Sequence, residues 1–201
     1  MRSKYLTDEY ITLLESVLTR EEWLPLEVAR QTGLRIGDVC SLKRTDLSGN
    51  TLSYVAEKTG KAGVAEISAE LAAELRSRRS PRSKWLFPSR KNPKDHLTRQ
   101  AVWARLKKAC ERLGVPPDGV SPHSMRKAYA VELYKREGLQ AASRALQHDR
   151  TSTTELYVMS DFLSPENENR PLLRKDFDTL VRFIAEAVKM ALDNGGNMCY
   201  T

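Results

Sequence analysis

Long apolar runs are missing from this chain. No stretch of its 201 residues approaches the ~20 apolar positions a membrane-spanning helix requires, and the opening MRSKYLTDEY lacks the apolar core of a secretory signal. Cysteine is scarce and odd in number. Cys40, Cys110 and Cys199 stand far apart in no metal-ligand spacing, which speaks against a disulfide framework or a structural zinc site. Carboxylates form no cluster with the spacing of a magnesium site. These absences lead us to expect a reduced, cytoplasmic protein with no membrane partner. Histidine is rarer than its usual share, with His96, His123 and His148 in the whole chain.

Positive charge is present, and it is concentrated. The net charge is +7, but residues 76 to 112 hold 13 Lys or Arg against Asp95 and Glu111, so the remainder of the chain is net acidic. The basic block also contains Trp85, Phe87 and Trp103 and a helical pattern from Leu97 to Leu113. It therefore reads as a folded surface for a polyanion as readily as a merely solvated face.

Hydrophobic content of 40% is enough for a core, and its periodicity is mostly helical. Thr7-Asp8 ahead of Tyr10, Ile11, Leu13, Leu14, Val17 and Leu18 predicts a capped helix. Further helices are expected at about 24–32, stopping at Gly33, at 36–42 and at 69–79. TLSYVAE and VAEIS alternate like paired strands around the turn residues KTGKAG. Helices are expected again at 98–113, 122–137, 139–147 and 151–159, and a last stripe runs from Phe177 to Ala191. The expected fold class is mainly α with a small antiparallel β-sheet (α+β). Residues 1–164 would form one domain and 165–201 a helical extension.

Several polar residues sit beside structural punctuation. Arg35 follows TGL at a helix junction, and Lys58 lies at the hairpin tip. His123 and Arg126 are one turn apart, just after a proline in SPHSMRKAYAVELY. His148 ends a helix in ALQHDRTSTTELYV, and Tyr157 follows nine residues later. Singly, each has an ordinary explanation as surface charge, solvated lysine or core tyrosine.

Together and in this order they resemble the tyrosine recombinase (phage integrase) family. TGLRIGDVCSLKRTDL resembles its first-arginine box, with Asp38 at the family's acidic position. EKTGKAGVAEIS resembles its lysine hairpin, HSMRKAYAVELY its His-x-x-Arg box, and ALQHDRTSTTELYV its final box. Gln147 stands where glycine is frequent, and Lys127 where histidine is. The resemblance implies a site-specific recombinase that cleaves and rejoins DNA through a 3′-phosphotyrosyl intermediate, without metal or other cofactor. Arg35 and Arg126 would grip the phosphate, Tyr157 attack it, His123 act as base and then acid, and His148 donate to it. Lys58 would protonate the leaving 5′-oxygen. Lys61 competes for that role, although position within the box favours Lys58.

The implied partners are double-stranded DNA, further copies of the chain in a tetramer on paired sites, and accessory DNA-bending proteins. Lys61, Arg99, Arg105, Lys107 and Lys108 are the candidate DNA contacts. Family members usually carry a helical domain ahead of the catalytic one, whereas only about six residues precede the first expected helix here. The segment after the nucleophile often docks on a neighbouring protomer; here a helix at 175–192 is expected to pack on its own domain in a largely monomeric free protein and to swap to a neighbour on paired sites. A type IB topoisomerase and a non-catalytic DNA-binding module are the rival readings.

Overall fold

A computed structural model describes residues 6–78, 83–138 and 141–142. The first helix, α1 (Asp8–Val17), starts where Thr7 caps it, its Oγ1 accepting the Tyr10 backbone N–H at 3.3 Å. Asp8 and Glu9 place negative charge at the positive end of the helix. α2 (Arg20–Thr32) begins earlier than expected, with Thr19 and Glu22 forming a reciprocal capping box. The expected start near Leu24 falls inside the helix, and Pro25 is accommodated there as well.

Helix α2 is the centre of the fold. Trp23, Leu24, Leu26, Val28 and Ala29 are all buried, and the helix packs on α3 (Ile36–Cys40), α5 (Arg99–Leu113) and α6 (Pro122–Glu137). Ile11 and Leu14 of α1, Leu106 of α5 and Met125 of α6 complete this core. Cys40 and Cys110 are buried free thiols within it, and burial pushes the Cys40 thiol up to about 12.

A 3₁₀ turn (Arg44–Asp46) leads into the sheet. β1 (Leu47–Ser48), β2 (Thr51–Val55) and β3 (Ala62–Glu66) form an antiparallel meander, where only the β2–β3 hairpin was expected. Alternation on β2 turns Leu52 and Tyr54 to the core and leaves Ser53 and Val55 outside. α4 (Ala69–Ser77) follows, capped by Ser68. The basic loop after it is folded: Leu86 and Phe87 are buried, and Trp85 donates its indole N–H to the Lys94 carbonyl at 2.9 Å. His96, the third histidine, packs edge-on against that indole.

The expected helices at 151–159 and 175–192 lie outside the described residues, as does nearly all of 139–147. Among the described residues no helix is long and apolar enough to cross a membrane.

Candidate active site

Two arginines meet at the end of α2. Gly33 closes that helix in the left-handed conformation, φ 67°, which a glycine adopts without the side-chain clash other residues suffer. The reversal places Arg35 at the N-cap of α3. Arg126, one turn into α6, comes up to the same corner and donates an Nη1–H to the Gly33 carbonyl. Arg126 is only 4% exposed. Its guanidinium is therefore oriented by the protein before any ligand arrives.

Around this corner is a cleft of about 430 Å³ lined by Arg35, Asp38, Lys58, Arg99, His123 and Arg126, among others. They come from four places in the chain: the start of α3, the turn between β2 and β3, the start of α5 and the start of α6. Pro122 starts α6, its fixed φ suiting the first helical position, and puts His123 next, at the cleft mouth. Lys58 reaches the cleft from the turn between β2 and β3. That turn is ordered by Gly60, φ 66°, whose N–H donates to Ala56 O at 2.8 Å. Asp38, buried on α3, accepts the Glu57 N–H at 2.9 Å and so pins the chain one residue before Lys58.

The electrostatics suit an anion. His123 is pushed down to about 4 by burial first, then by the cations Arg126, Lys127 and Arg35. Its ring is nonetheless open to solvent at the cleft mouth, and water screens both effects. The direction is what matters: the imidazole is neutral near pH 7 and has a lone pair to offer.

Arg35, Lys58, His123 and Arg126 come together in the cleft. His148 and Tyr157 lie outside the described residues. Lys61 does not line the cleft; its backbone closes the turn by accepting the Ala56 N–H. Arg99, expected to be one of several DNA contacts on a basic helix, is a cleft residue. Thr98, which caps α5 and sets where it starts, was the available signal for Arg99. Arg105 is half-buried beside Glu22 at 3.9 Å, and burial lowers its pKa. Lys107 stands over the exposed Trp103 ring at 5.0 Å, and Lys108 is exposed.

The phage integrase family model matches residues 6–164. The chain belongs to that family. It is 31% identical over 185 residues to the tyrosine recombinase XerA of Thermococcus kodakarensis, covering 86% of this chain and 64% of the relative. Among solved structures it is similar to a lambda integrase dimer bound to a COC′ core site, with TM-score 0.65 and 21% identity over 81% of this chain and 49% of that one. A lambda integrase tetramer bound to a Holliday junction also matches, with TM-score 0.62 and 20% identity over 76% and 48% of the two chains. The fold is thus that of a tyrosine recombinase catalytic domain. The chain spans only about half to two thirds of the length of these relatives.

Proposed function

We propose that this domain cleaves and rejoins DNA strands at a specific site through a covalent 3′-phosphotyrosyl intermediate. The observation that carries the reading is the convergence of Arg35 from α3, Lys58 from the hairpin turn, and His123 and Arg126 from α6 on one cleft. Arginine forks match the non-bridging oxygens of a phosphodiester and stay charged at any working pH. As the phosphorane forms, those oxygens gain charge, and donors already oriented stabilise it without reorganising.

The Tyr157 phenol oxygen attacks phosphorus while its proton passes to the neutral His123. The bond from phosphorus to the 5′-oxygen breaks, and Lys58 supplies that oxygen with a proton. His148 donates to the phosphate. Reversal of these transfers, with a 5′-hydroxyl from another strand as nucleophile, rejoins the DNA. The roles of His148 and Tyr157 rest on the sequence boxes, and those of the other four are supported by the cleft.

Double-stranded DNA is the proposed substrate, and the lambda integrase neighbours on a core site and on a Holliday junction support assembly of this chain on DNA as dimers and tetramers. Paired copies of a selected site on a supercoiled plasmid test the reading. Exchange between the copies is expected. Relaxation without exchange would make the protein a nicking-closing enzyme, and binding without cleavage a DNA-binding module.

A further inference from the structure

Next to the Lys58 turn the hairpin carries a contact that the cleft alone does not explain. Tyr54 of β2 pairs with Gly63 of β3, on the face of the sheet that Leu52 turns to the core. The Tyr54 ring lies across β3 so closely that a Cβ added at Gly63 would sit 2.7 Å from both its Cζ and its Oη. Gly63 is not a turn glycine, for the left-handed residue of this hairpin is Gly60. The missing side chain at 63 makes room for the ring and does not serve the backbone.

The ring is partly buried and packs against the core beside the hairpin. It lines one cavity with Asp38 and Gly63, and another with Tyr129 of α6. Burial raises the Tyr54 phenol above its ordinary value, and the charges of Arg126, Asp38 and Arg35 all act on it. Asp38 in turn holds the Glu57 N–H. The Lys58 turn is thus fixed at its start by Asp38, and at its base by an aromatic ring that lies across β3 and packs against the core.

We propose that Tyr54, seated on Gly63, is a positioning residue for strand cleavage: it sets the pitch of the hairpin against α3 and α6, and so where the Lys58 ammonium stands in the cleft. The inference rests on the general-acid role proposed for Lys58. A displaced hairpin would leave the arginines and His123 in place and impair only protonation of the leaving oxygen.

Single-turnover cleavage of two nicked substrates tests this, one ordinary and one with sulfur at the bridging 5′ position, which departs without a proton. Gly63→Ala and Tyr54→Leu should each slow ordinary cleavage by up to about 10²-fold, the scale of a 1 Å misplacement. Both should recover on the sulfur substrate, with a melting temperature close to that of the parent. Tyr54→Leu keeps Gly63 and so carries the test if Gly63→Ala folds poorly. The double variant should be no slower than Tyr54→Leu alone, because the clash at position 63 needs the ring. Lys58→Ala is the control. If it recovers on sulfur and the other variants do not, Tyr54 only supports the fold and the inference fails. If Lys58→Ala itself does not recover, the general-acid assignment fails and takes this inference with it. Wild-type rates in both variants would also overturn it.

Discussion

Arg126 is already engaged by the protein before DNA binds. One of its donors goes to the Gly33 carbonyl, which fixes the plane of the guanidinium at the corner of α2 and α6. Lysine at this position keeps the charge but cannot hold the carbonyl and a phosphate in the same geometry. Arg126→Lys should therefore cleave about 10²–10³-fold more slowly, the loss typical of one preorganised donor. A loss below tenfold in single-turnover assays would show that charge alone suffices.

His123 provides a prediction in pH. Its folded-state value is pushed down toward about 4 from 6.5. Between those values the unfolded chain binds more protons than the folded one. Stability is therefore complete above 6.5 and is lost as pH falls toward 4. His123→Asn should remove this acid loss, so its melting temperature should gain on the wild type as pH falls through that window. By NMR the His123 midpoint should lie well below 6.5 in the free protein. It should rise when a phosphodiester occupies the cleft, because the anion favours imidazolium. A midpoint at 6.5 without DNA would contradict the assignment of a depressed, neutral base. His123 and Arg126 were legible in the sequence because a proline and a one-turn spacing frame them. Arg99 was not, since a cation on a basic helix looks the same whether it faces the cleft or open solvent.

At the scale of elements, the Lys58 turn is tied down at both ends. Asp38→Ala leaves the Glu57 N–H without its acceptor and should cost about 1–3 kcal/mol of stability in chemical denaturation. It should also slow cleavage, because Lys58 is the next residue. Unchanged stability would mean that the bond contributes nothing to holding the turn. Most elements could be read from local pattern: Thr7, Ser68 and Thr98 cap helices, and β2 alternates along its length. β1 could not be read, because two residues have no period and pair only once Leu52 and Thr51 are in place. The start of α2 was placed too late, because the capping box of Thr19 and Glu22 ahead of it was not read as a helix start.

Across the whole molecule, the basic block from 76 to 112 is not uniform once folded. Arg78 and Arg90 pair with Glu21, and Arg105 lies beside Glu22, so part of the block holds α2 to its neighbours. Lys108 is exposed on α5. If it meets a backbone phosphate, Lys108→Ala should lower the slope of log affinity against log salt by about 0.9 without changing stability. Arg105→Ala should do the reverse, with lower stability and little change in slope. Equal slopes for both would show that the block does not divide in this way. Charge in a sequence announces a polyanion surface, but which cations are already paired depends on tertiary contacts that spacing does not encode.

Covalent trapping shows whether this domain cleaves DNA through Tyr157. A nicked duplex carrying the protein's selected site, incubated with it in EDTA, loses its short leaving strand and cannot be resealed. An SDS-stable protein–DNA adduct is expected, with Tyr157 in the modified peptide. Tyr157→Phe should still bind the duplex and form no adduct, and Arg35→Ala and Arg126→Ala should form little. An adduct that persists in Tyr157→Phe would place the nucleophile elsewhere, and tight binding by the wild type with no adduct would contradict the proposal of strand cleavage.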